Sequence, residues 1–132
     1  MKPVFLRQWT LKIILGIFLL NTLAGFLYWY AIFPWFDNMM HFFGGFWVAV
    51  ATISVFWKIF SIQKSQILKL VFVVLWVLFV GLVWEIYEFG VQDLIKVTGI
   101  ASIPDSISDL IFDTIGGVVA FLIINIKTKH HG

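Results

Sequence analysis

Four apolar stretches, each as long as a bilayer is thick, leave this chain few folds to choose from. A helix crosses the hydrocarbon core in about 20 apolar residues, and only helices or closed barrels satisfy their backbone hydrogen bonds there. Runs over residues 11–33, 39–60, 67–89 and 106–126 meet that length. The expected fold is therefore all-α, a single transmembrane domain of four helices forming two antiparallel hairpins. With 61% hydrophobic and only 12% charged side chains, the 132-residue chain reads as an integral membrane protein. The first run exceeds the roughly 7–15 apolar residues of a signal peptide, so it reads as a retained helix. Without cysteine there are no disulfides, thiolate metal sites or cysteine nucleophiles.

Pro34 is expected to close the first helix, with Trp29, Tyr30 and Trp35 as an interfacial aromatic belt. Residues 34–38 make a tight turn into the second helix, which Asp37 is placed to cap. Asp105 or Ser106 suits the N-cap of the fourth helix, with Asp109 three residues after Ser106 as in a capping box. Eight of the nine basic residues fall at the N-terminus, around the second turn, or at the C-terminus; only Lys96 lies opposite. By the positive-inside rule both termini are cytoplasmic. His130 and His131 read as part of a solvated tail.

All seven acids, Asp37, Glu85, Glu88, Asp93, Asp105, Asp109 and Asp113, lie in or beside the two non-cytoplasmic connections. The positive-inside rule does not govern acids, and carboxylates leading into apolar helices are costly unless they face a partner, water or a cation. Asp93 reads as a solvated loop acid and Asp105 equally well as a cap. Asp37 and His41 share one face of the second helix, Glu85 and Glu88 one face of the third, Asp109 and Asp113 one face of the fourth. Asp113 lies only about 12 Å along the axis from Asp105, so all of these groups fit within the outer third of the bilayer.

The segments Asp37–Gly45 and Asp109–Gly117 also align without gaps on the pattern Asp, three residues, His or Asp, two residues, Gly-Gly. Gly25, Tyr28 and Phe33 match Gly81, Trp84 and Phe89 more weakly upstream. Two hairpins of the same orientation would make this a parallel internal repeat. It places His41 and Asp113 in equivalent positions and turns both glycine pairs toward neighbouring helices.

Several carboxylates in a low-dielectric site must share protons, pair with cationic groups or coordinate a cation. No lysine or arginine is placed to pair with them. Carboxylate oxygens with one imidazole suit Mg²⁺, Mn²⁺ or Ca²⁺ and also accept Zn²⁺. The expected ligands are Asp37, His41, Glu85, Glu88, Asp109 and Asp113, with His41 and Asp113 nearest the chemistry. A ferritin-type di-iron centre is a poor match because its paired Glu-x-x-His motifs are missing.

At these residues the chain resembles the VanZ-like and YjdF-like families of small bacterial membrane proteins. Their Asp-x-x-x-His motif is matched by Asp37 and His41, their Glu-x-x-Gln/Glu motif by Glu85 and Glu88. Their Asp-x-x-x-Asn/Asp-x-x-Gly motif is matched by Asp109, Asp113 and Gly116. Glu88 and Asp113, where VanZ-like proteins tend to carry Gln and Asn, lean toward the YjdF-like side. The resemblance implies a bacterial or archaeal cell membrane but no established reaction, and the link of VanZ to glycopeptide tolerance does not transfer with it. The residues suit a metal-dependent enzyme acting on a membrane lipid or lipid-linked envelope precursor. The alternatives are a cation- or proton-coupled transporter or channel subunit, which four helices would build only as a homo-oligomer, and a non-catalytic membrane partner. No nucleic-acid partner is expected.

Overall fold

In the computed structural model, residues 3–95 and 102–129 are described. Lys96, the side chain of Asp93 and the histidine pair His130 and His131 lie outside them. Every regular element among the described residues is helical: α1 (Pro3–Phe26), α2 (Trp29–Ile32), α3 (Phe36–Val55), α4 (Trp57–Ile62), α5 (Gln66–Ile95) and α6 (Ile103–Lys129). Four of them, α1, α3, α5 and α6, are long and apolar enough to cross a membrane.

The most extensive packing joins α3 to α6. Its cause is the two glycine pairs. A Cβ built on Gly45 would stand 1.9 Å from the Asp113 carbonyl oxygen, and one on Gly116 would stand 1.9 Å from that of Phe42. The two helices therefore touch backbone to backbone, an approach open only to small residues. Helix α5 packs beside them, with Val77 against Gly117 and Leu110 against Gly81. Below the glycines the interior is apolar, with Val48, Ile53, Val77, Ala120, Phe121 and Ile124 in one buried cluster. The outward faces of α1 and α5 carry large exposed apolar side chains such as Phe18, Leu19, Leu75 and Phe79. With no water in the bilayer core, lipid is the solvent that suits them.

Three helix ends differ from the sequence reading. The first helix stops at Phe26 and not at Pro34, because Tyr28 takes a left-handed conformation, φ 57° and ψ 29°. That break lets Trp29 and Tyr30 close edge-on over Phe36, at ring separations of 5.5 and 5.0 Å. These aromatics, expected at the membrane interface, are thus packed on a buried ring. Phe33, ahead of Pro34, is extended, as a residue before proline is driven to be. The N-cap of α3 is Trp35, so Asp37 lies inside the first turn and is not the cap. At α6 the hydroxyl of Ser102 accepts the amide of Asp105 at 3.3 Å, so the cap lies upstream of Asp105 and Ser106. Asp109 is consequently released from any capping role.

The upstream extension of the repeat fails. Gly25 faces open space whereas Gly81 packs on Asp113, and Tyr28 sits in a turn whereas Trp84 lies within α5.

Candidate functional site

The close approach of α3 and α6 decides which acids meet. Asp and His side chains are short, and only helices in backbone contact bring them together across an interface. On α3, Asp37 and His41 are one turn apart; on α6, Asp109 and Asp113 repeat that spacing. All four face the shared seam, and His41 stands at its centre. Its Nδ1 lies 3.4 Å from Asp113 Oδ2, and its Nε2 lies 3.7 Å from Asp109 Oδ2 and 4.0 Å from Asp37 Oδ1. The residues that the repeat makes equivalent, His41 and Asp113, are the ones in contact. A side-chain hydrogen bond from the Ser108 hydroxyl to Asn38 Oδ1, 3.1 Å long, ties the openings of the two helices at this level.

Helix α5 closes the third side. Glu85 is only 5% exposed, and with Glu88 and His41 it forms a group whose ligand atoms lie within 4.8 Å of one another. Asp37, His41 and Asp109 form a second such group. Asp113 belongs to neither, although it holds the imidazole. All six residues expected from the sequence therefore gather in one place. Asp105 does not join them and stays exposed in the first turn of α6.

The cluster is unsatisfied as it stands. Asp109 is 1% exposed, yet its Oδ1 has no hydrogen-bond partner among the described residues, and neither does Glu85 Oε1. Most buried polar atoms find a partner, so two orphaned carboxylate oxygens beside one imidazole mark a place built for something further. Access is from the acidic end, where Glu88 is half-buried and the Asp37 side chain is 38% exposed.

Two features of the rim escaped the sequence reading. The indole of Trp84 donates to Glu88 Oε1 at 2.8 Å, a bond legible only as the spacing Trp-x-x-x-Glu on one helix face. Tyr30, in the connection ahead of α3, donates its hydroxyl to Asn21 Oδ1. Burial, then the nearby charges of Asp37 and Glu88, push its phenol up to about 12, so it remains a neutral donor.

A family described as "Predicted membrane protein (DUF2238)" matches residues 4–130 of the chain. No curated protein and no solved structure matches it.

Proposed function

The chain belongs to this family of predicted membrane proteins, and on that premise we propose that it is a metal-dependent membrane enzyme, its divalent cation bound by the seam between α3, α5 and α6. The observation that carries the reading is the pair of buried, unpartnered oxygens, Glu85 Oε1 and Asp109 Oδ1, around His41. In this reading His41 Nε2, Asp109 and Asp37 hold the ion, with Glu85 and Glu88 completing its oxygen shell. Asp113 accepts a hydrogen bond from Nδ1–H of His41, which leaves Nε2 free to ligate, an arrangement common around metal-bound histidines. Bound there, a hard cation supplies a Lewis acid for polarising a carbonyl or phosphoryl oxygen. The substrate class that fits is a lipid or lipid-linked envelope precursor, since the site is approached from the acidic end of apolar helices, where Trp84 and Tyr30 border it.

An enzyme is favoured over a conduit because the acids lead nowhere. Beneath Gly45 and Gly116 the helices are in backbone contact, and the next layer is the apolar cluster around Val48 and Val77. To test the reading, protein stripped with a chelator is titrated with Mn²⁺. Saturable, chelator-reversible binding is expected, with competition from Mg²⁺, Ca²⁺ or Zn²⁺. No saturable binding of any of the four would overturn the metal site, and sodium or proton flux in liposomes would reassign the acids to transport.

The site opens to the non-cytoplasmic side of a bacterial or archaeal cell membrane in this proposal, which the basic residues and the VanZ-like and YjdF-like motif order support. A fluorescent reporter fused after Gly132 should light up in the cytoplasm. A periplasmic phosphatase fused there should stay inactive, and an active one would place the acidic site on the inner face.

A further inference from the structure

At the opposite end of the bundle, away from His41, a pocket of about 190 Å³ opens between α3, α4, α5 and α6. Its floor is apolar, with Ile53 and Phe121, and its rim carries Trp57, Ser61, Lys69 and Asn125. The volume is below the roughly 300 Å³ at which pockets begin to enclose whole small molecules, so it suits one polar group.

Lys69 is the informative member. It is half-buried in the opening turn of α5, where the helix dipole is positive and a cation is disfavoured. No lysine takes part in an ion pair among the described residues, where every pair involves His41. Among the described residues no acid lies at this end, since Asp37, Glu85, Glu88, Asp105, Asp109 and Asp113 all stand at the other. A half-buried lysine set against a helix N-terminus, with Lys58 and Lys64 close by in sequence, calls for an anion from outside the chain. The Ser61 hydroxyl is engaged with the Lys58 carbonyl at 2.7 Å, and the Lys69 ammonium is the one charged donor among the residues that line the pocket.

We propose that this pocket binds the phosphate headgroup of an anionic phospholipid from the leaflet at the basic end. Lys69 holds the phosphate, Trp57 lies at headgroup depth, and the acyl chains run along the exposed apolar faces of the helices. Basic pockets between transmembrane helices on the cytoplasmic side are suited to such headgroups. The apolar floor favours a lipid over a free anion.

The test uses the full chain in detergent, titrated with phosphatidylglycerol, phosphatidylcholine or glycerol 3-phosphate and read by native mass spectrometry. Selective retention of phosphatidylglycerol is expected. Lys69→Gln should weaken it about fivefold, Lys69→Arg should retain it, and Lys58→Gln, at an exposed position outside the pocket, should change it far less. Equal binding of phosphatidylcholine would overturn the proposal, as would equal effects of Lys69→Gln and Lys58→Gln, which would indicate diffuse surface charge only. Displacement of the lipid by equimolar glycerol 3-phosphate would make this a free-anion site and overturn the lipid assignment. If Lys69→Gln does not fold, the lipid selectivity of the native chain and its retention in Lys69→Arg decide the matter.

Discussion

Asp109→Asn should abolish tight divalent binding, with an affinity loss greater than the roughly 10–100-fold typical of residues that only support a ligand. Asp109 is the most deeply buried carboxylate of the cluster, and one of its oxygens has no other partner. An amide there keeps the shape and removes the charge, in a place where water cannot replace the lost oxygen. Glu85→Gln should be comparably severe, for the same reason. Asp113→Asn should fall within that supporting range, because it acts through the ring of His41. Glu88→Gln should be the mildest: the side chain is half-buried at the rim, glutamine retains a carbonyl acceptor, and Trp84 can donate to it. Mn²⁺ titration of the four variants checks the order. Equal losses in all four, or a greater loss from Glu88→Gln than from Glu85→Gln, would refute these assignments. A second readout separates metal loss from misfolding. Without metal the clustered carboxylates repel one another and are poorly solvated, so metal-free Asp109→Asn should melt no lower than the metal-free native chain. A clearly lower melting point would make Asp109 a packing residue.

Gly45→Ala should be more damaging than any polar substitution, although it adds one methyl group. That methyl would lie 1.9 Å from a carbonyl oxygen of the neighbouring helix backbone, where no side-chain rotamer can relieve it. Overpacking a well-filled interior costs about 1–3 kcal/mol, and the rigid obstacle here puts the expected cost at the upper end or beyond. Gly116→Ala presses on Phe42 in the same way. Both variants should also lose metal binding, since separating α3 from α6 pulls His41 away from Asp109. Gly16→Ala is the control. It has nothing within 4 Å, and alanine's better helix propensity should leave stability unchanged or slightly raised. Thermal unfolding in detergent compares them, and a Gly45→Ala midpoint matching that of Gly16→Ala would disprove the backbone-contact account.

Much of this was legible before any coordinates. Length and hydropathy are enough to locate four spans, because a bilayer sets a minimum length that chance rarely meets. The equivalence of His41 and Asp113 was legible through the repeat, since a shared Asp-x-x-x-His/Asp-x-x-Gly-Gly pattern puts acids and glycines on one face of each helix; their direct contact was not. What stayed hidden depends on neighbours. Tyr28 carries no local signal for a left-handed turn; the turn follows from the need of Trp29 and Tyr30 to cover Phe36. For the fourth helix the sequence offered Asp105 or Ser106 as the cap, and Ser102, further upstream, takes that place. The third span, expected to end at Phe89, continues as α5 through Gly90 to Ile95, past a residue of poor helix propensity.

The seam between α3 and α6 joins segments that the ribosome makes far apart in time. At ordinary elongation rates on the order of ten seconds separate the synthesis of Gly45 from that of Asp113. During that interval the translocon must hold a helix carrying Asp37 and His41, then another carrying Glu85 and Glu88, before the matching carboxylates exist. A nascent chain halted short of α6 therefore presents an exposed glycine face and incompletely partnered polar groups inside the bilayer, which is the form that membrane quality-control proteases and insertion chaperones are equipped to grip. Formation of the seam in that sense waits on one late event, the arrival of α6.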